Sequence, residues 1–241
     1  MSKFGVAILG MLVAALMTCP VCFAVTTVTS PPGAFSARWN LFALPAIPAD
    51  PTPGSVLDEF GGDEGLEVRS MCRWDALTQD LLLFSVQTRE DFGNLLPGNG
   101  YWIRLSPEDP ATISFTGVMD QDSTDMWINL PRAGWTLIGH PYSYPAPDPN
   151  VDERYYVGDA YPWGSVSVTD GTVTKTLHEA SQYGAHWINS NAYWFDSARQ
   201  SVCDVGLPDD YSMSDSLIAW HGYWVKSYKD NLVLIMEARE Q

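Results

Sequence analysis

The sequence predicts an all-β protein with minor helix, built as two tandem β-rich modules, sandwich- or barrel-like, the second enlarged by an insertion. Three observations predict this. Apolar runs are short and stopped by Pro or Gly, of which 241 residues hold 17 and 19, a density that breaks long helices. Ten Trp, eleven Tyr and nine Phe supply rings that suit a pleated, half-buried surface. The third observation is that the chain matches itself once.

The repeat rests on three anchors. Arg38-Trp39-Asn40-Leu41-Phe42-Ala43-Leu44-Pro45 reads against Gly134-Trp135-Thr136-Leu137-Ile138-Gly139-His140-Pro141, and a proline-studded stretch follows each. Trp74-Asp75 reads against Phe195-Asp196, and Gly100-Tyr101-Trp102-Ile103-Arg104 against Gly222-Tyr223-Trp224-Val225-Lys226. These anchors bound a first module over 30–119 and a second over 124–238, with the insertion at about 151–192. The opening and closing anchors have strand composition. Gly before Tyr-Trp lets two aromatics turn onto opposite faces without a Cβ clash. Further strands are expected over Leu66–Trp74, Asp80–Val86, Ala111–Val118, Ser165–Val168, Thr172–Leu177, Ala192–Phe195 and Leu232–Met236. Thr169-Asp170-Gly171-Thr172 reads as a hairpin turn. The best helix candidate is Ser55–Phe60, with Ser55 as cap and Gly61 as stop.

The N-terminus reads as a signal peptide over residues 1–24. Lys3 is the one charge in the first 37 residues, and an apolar run from Val6 to Met17 follows it. That run is short for a membrane span, which needs about 20 apolar residues. Cys22 and Ala24 are small residues at the positions a peptidase would read. Cys19 or Cys22 as a lipidated residue is a weaker alternative, because no Gly, Ala or Ser precedes Cys19. The expected location is therefore secreted, extracellular or cell surface, with no membrane span after signal removal. Formal charge is −16, which argues against nucleic acid as a partner, since the mean field repels it.

Cys72 and Cys203 remain after the leader. In an oxidising compartment they either pair, adding roughly 4–5 kcal/mol on the chain-entropy model, or stand as two buried thiols.

At the repeat anchors the chain resembles a tandem Gly-Trp-Asn / Gly-Tyr-Trp β-module of bacterial and archaeal secreted or cell-surface proteins. Arg38 stands where that pattern opens with Gly, Thr136 replaces its Asn, and Trp220-His221 replaces its Pro-Gly-Lys portion. The resemblance implies a surface-layer, adhesion or polysaccharide-associated setting and carries over no catalytic residue.

Motifs for chemistry are mostly missing. No Gly-x-Ser-x-Gly elbow or glycine-rich phosphate loop occurs, and His178-Glu179 is followed at 182 by Gln, which breaks the zincin pattern. All four histidines fall in the second copy, and His140 and His221 sit where the first copy has Leu44 and Asn99. A shared metal site and unrelated histidines are both open readings. Asp148, Asn150, Asp152 and Asp159 imitate a calcium loop, though Glu153 occupies the position that wants Gly. Calcium is the cofactor such a loop would take; solvated turns are the alternative. The framework rings Trp39, Trp74, Trp102, Trp135 and Trp224 are expected in the core. Trp163, Trp187, Trp220 and Tyr161 are the candidates for ligand binding, stacked on sugar or packed in a second small core.

Three functions follow as expectations. The first is a secreted non-enzymatic surface module that binds glycan, polysaccharide or another envelope component through aromatics. The second is a self-assembling structural subunit of an extracellular filament or matrix. The third is a secreted metal-dependent or glycan-active enzyme using the second-module histidines.

Overall fold

A computed structural model describes residues 25–109, 112–118, 124–142, 160–208 and 212–238. The protein is mostly β, with 44% strand and 14% helix, its small antiparallel sheets arranged in a ring. The first half holds β1 (Val25–Thr29), β2 (Arg38–Ala43), β3 (Ile47–Pro48), β4 (Cys72–Asp75), β5 (Asp80–Leu83), β6 (Gly100–Leu105) and β7 (Ser114–Val118). Its short helices are α1 (Pro53–Val56), α2 (Gly62–Val68) and α3 (Arg89–Phe92). The second half holds β8 (Met126–Leu130), β9 (Gly134–Gly139), β10 (Ala160–Pro162), β11 (Ser167–Thr169) and β12 (Thr174–Thr176). It continues through α4 (Leu177–Ser181), β13 (Ile188–Asp196), β14 (Ser201–Val205), β15 (Ser216–Ile218), β16 (Gly222–Ser227) and β17 (Leu232–Met236).

One four-stranded sheet runs β2-β6-β4-β5 and another runs β9-β16-β13-β14. Their registers correspond pair by pair. Trp39 opposes Arg104 as Trp135 opposes Lys226, Cys72 opposes Trp102 as Tyr193 opposes Trp224, and Trp74 opposes Leu81 as Phe195 opposes Val202. The outer strands repeat the pattern in part, with β7 between β1 and β3, and β17 between β8 and β11.

Strand alternation sends one face of each sheet into its own core. Phe42, Tyr101, Ile103 and Leu105 join Phe60, Leu66, Phe92 and Phe115 in the first. Ile138, Tyr223 and Val225 join Tyr142, Leu177 and Leu217 in the second, and Tyr161 and Trp163 complete it. Each buried Tyr also holds the turn before it. Tyr101 Oη accepts from Leu96 N at 2.8 Å and Tyr223 Oη from Ile218 N at 2.6 Å. Burial holds both phenols above their ordinary value.

Local structure departs from the expected elements in three places. Residues 62–68 form helix rather than the start of a strand, because Gly61 turns left-handed (φ 89°), Asp63 and Glu64 occupy the first turn, and Leu66 plugs the core. Pro53 starts α1 one turn before the expected Ser55 cap, and Gly61 ends the following 3-10 turn as expected. The strand expected through Leu177 stops at Thr176. There Thr176 Oγ1 accepts from Glu179 N while Glu179 accepts from Thr176 N, a capping box that opens α4. The Asp170 hairpin forms, its carboxylate accepting from Thr172 N and Val173 N. No helix among the described residues is long and apolar enough to cross a membrane.

Candidate functional site

The two sheets meet through a reciprocal exchange. Ala43 N donates to Trp220 O at 3.1 Å, and Gly139 N donates to Gly98 O at 2.9 Å. Phe42 bridges to His221 as Ile138 bridges to Asn99. These partners occupy corresponding places in the two sheets, so the opening strand of each half is completed by the closing turn of the other half. Gly100 and Gly222 are required by this approach. A Cβ on Gly100 would stand 2.7 Å from Leu137 Cγ, and one on Gly222 would stand 2.9 Å from Leu41 Cδ1. The clash avoided is therefore with the opposite sheet, not within the Gly-Tyr-Trp bend.

A second exchange fixes the tryptophans. After Asp75 the chain turns through Gln79 (φ 61°), and after Asp196 through Gln200 (φ 52°). Gln79 Nε2 donates to Trp135 O at 2.9 Å and its Oε1 accepts from Trp135 N at 2.7 Å. Gln200 does the same for Trp39, at 3.0 Å and 3.4 Å. The matching Asp-x-x-x-Gln stretches, Asp75 to Gln79 and Asp196 to Gln200, are the sequence signal for this pair.

The framework rings are not core, a correction to the sequence expectation. Tyr101 and Tyr223 take the inward positions, so the period of two turns Trp102 and Trp224 to the opposite face. There Trp74 meets Trp224 edge-on at 5.1 Å and Trp102 meets Phe195 at 5.0 Å. Trp135 packs edge-on to Trp224 at 6.3 Å and to Tyr193 at 5.9 Å. Trp74 Nε1 donates to Trp135 O at 2.7 Å, which locks its ring. Trp74, Trp135, Tyr193, Trp224 and Val202 thus line an open groove of about 390 Å³. All four rings are part-exposed, and Val202 is 66% exposed at the rim.

The rings named as ligand candidates go the other way. Trp163 is fully buried, its Nε1 donating to Ser190 O, and Tyr161 is buried with its Oη accepting from Glu237 N. Trp220 is buried in the first half's core, edge-on to Phe115 at 5.9 Å. These three present no open ring face and take the alternative of packing in a core. Trp187 is part-exposed and lies under Lys175 and Lys229.

His140 is buried against Tyr142 and Tyr161. His221 stacks on Trp194 at 4.9 Å, and burial pushes its imidazole down to about 4, with Asp196 opposing. Among the described residues no group of three or more His, Cys, Asp or Glu is arranged to hold a metal ion. Asp148, Asn150, Asp152 and Asp159 lie outside the described residues. Cys72 and Cys203 are free and buried in different sheets, and burial lifts the Cys72 thiol to about 11. A larger cavity of about 640 Å³ lies beside Arg38, Arg69 and Arg104, where Asp109 accepts from Arg69. Comparison with protein-family models, curated proteins and solved structures finds no match.

Proposed function

We propose that this protein is an exported, non-enzymatic binding module of the cell surface or extracellular space, which holds a sugar ring of an envelope glycan in the groove between the two sheets. The observation that carries the reading is the set of four part-exposed rings, Trp74, Trp135, Tyr193 and Trp224, around one open groove. The apolar C–H face of a pyranose stacks on indole, and rings already locked by hydrogen bonds and edge contacts lose little entropy on binding. The leader-like N-terminus supports export. The matching sheet orders and registers support two modules of one descent, the second enlarged. Retention on a panel of insoluble polysaccharides tests the reading. Trp135→Ala should reduce retention at least tenfold, and Val202→Asp, at the exposed rim, should do so without touching either core. Unchanged retention in Val202→Asp and in a folded Trp135→Ala overturns the reading.

A second reading, a subunit of an extracellular assembly, draws on the edge strand β5, where Leu81 is 50% and Leu83 61% exposed beside Leu77 at 63%. An apolar edge of this kind pairs with a neighbouring chain. A single species at monomer mass in size-exclusion chromatography over a wide concentration range would remove it.

A further inference from the structure

The chain holds four lysines, Lys3 in the leader and Lys175, Lys226 and Lys229 in the second half. The last three all stand over aromatic rings of one strip. Lys175 Nζ lies 5.3 Å and Lys229 Nζ 4.3 Å from the Trp187 centroid. Lys226 Nζ lies 5.4 Å from Trp135 and 5.5 Å from Tyr228. Tyr228 N donates to Trp187 O at 2.7 Å, so the two ring groups adjoin, and His186 stacks on Tyr228 at 4.1 Å. Trp135 is itself a wall of the groove. The strip therefore leads from the groove to every lysine outside the leader.

Among the described residues, two of these three lysines have no carboxylate of their own. Asp170 takes Lys229 at 2.6 Å. Glu179 is engaged by Thr176 at the start of α4, and Asp230 accepts from Ala133 N. Asp204, opposite Tyr193, accepts from Asn191. Among the described residues Lys226 and Lys175 have no carboxylate within ion-pair distance. In a chain of formal charge −16, whose mean field repels anions, two lysines without a carboxylate partner beside an aromatic groove select for a charge as well as a ring.

Resting on the glycan reading, we infer that the ligand is an acidic glycan, a hexuronate polymer whose ring stacks in the groove while its carboxylate meets Lys226, with Lys175 and Lys229 receiving the next acidic residues along the strip. An ammonium held over indole keeps its outer hydrogens for a carboxylate, and such charge-assisted bonds are about twice as strong as neutral ones.

The test compares polygalacturonate with its carboxyl-reduced form, using the full exported chain and Lys226→Gln and Lys226→Arg variants whose thermal midpoints match the parent. The parent should bind polygalacturonate about tenfold more tightly than the reduced polymer, with affinity falling as salt rises. Lys226→Gln should remove most of that preference and leave binding to the reduced polymer unchanged, while Lys226→Arg restores it. Equal binding of both polymers by the parent, unaffected by Lys226→Gln, overturns the acidic preference and leaves the glycan reading standing. Binding of neither polymer overturns both.

Discussion

The two halves share a sheet order and a register, yet they differ where they meet. At the reciprocal hydrogen bonds the first half offers Gly98 (φ 80°), and the second offers Trp220 (φ 69°) in the same left-handed conformation. The glycine adds nothing to the opposite core, whereas Trp220 enters it and packs on Phe115. Around the tryptophans the first sheet contributes Trp74 and Cys72 where the second has Phe195 and Tyr193. The indole of Trp74 can donate to Trp135 O; the phenyl ring of Phe195 cannot donate to Trp39. The backbone hydrogen bonds between the halves correspond, whereas the side chains at and beside them differ, and those differences leave one aromatic groove with a lysine at its end.

The most severe way to break the correspondence is at its centre. A Cβ on Gly139 would stand 2.3 Å from Ala43 Cβ and 2.8 Å from Asn99 O. Gly139→Ala should destabilise by about 3 kcal/mol or more, through overpacking between two backbones that cannot separate without losing both exchanged hydrogen bonds. Ala43→Gly combined with Gly139→Ala, which exchanges the residues between the two halves, should recover part of the loss. A denaturant midpoint for Gly139→Ala equal to the parent would show that the halves do not pack through these residues.

His221 and Asn99 supply the next comparison. The imidazole of His221 is pushed down to about 4 by burial against an unfolded value of 6.5. Between those values the unfolded chain binds more protons, so stability rises with pH there. The contribution is fully present above about pH 6.5 and is lost as pH falls toward 4, by about 3 kcal/mol in total. His221→Asn, which installs the residue found at the corresponding bridge of the first half, should flatten that part of the stability profile. Unfolding free energies at pH 4.5 and 7 check this, with the variant's difference smaller by most of that amount.

Much of this architecture is legible in the residues. The Trp-to-Pro openings, the Gly-Tyr-Trp closings, the Asp170 turn and the β17 strand all have local signatures that tertiary contacts reinforce. Which face of a strand is inward is not legible in the same way. Tyr101 and Trp102 are both large rings, and only the hydroxyl's bond to Leu96 N selects Tyr for the core. Trp163 and Tyr161 pose the same difficulty, and their two readings stay open in the sequence until Nε1 or Oη finds Ser190 O or Glu237 N. The Gln79 and Gln200 clamps are written in the chain as a repeated Asp-x-x-x-Gln. A polar residue in a turn, however, draws no notice until its long-range partner is known.

Those clamps allow a finer comparison. Gln79 makes shorter bonds to Trp135 than Gln200 makes to Trp39, and Trp39 is the more exposed of the two rings. Gln79→Ala should therefore cost about 1–2 kcal/mol and Gln200→Ala about half of that. Thermal denaturation of the two single variants ranks them, and the opposite order would mean that the exchange is tighter on the first copy's side.

The smallest effect concerns the residue that opens each strand. Gly134 sits at φ 144°, and its counterpart Arg38 sits at φ 84°, in the region that favours glycine. A side chain there crowds its own backbone, and glycine relieves the crowding while adding freedom to the unfolded chain. The two terms oppose, and relief wins narrowly because Arg38 is exposed and has no ion pair among the described residues to lose. Arg38→Gly should stabilise by about 0.5 kcal/mol, whereas Arg38→Ala, which keeps a Cβ, should not. A gain for Ala equal to that for Gly would trace the effect to the arginine's charge beside Arg69 and Arg104 rather than to its backbone.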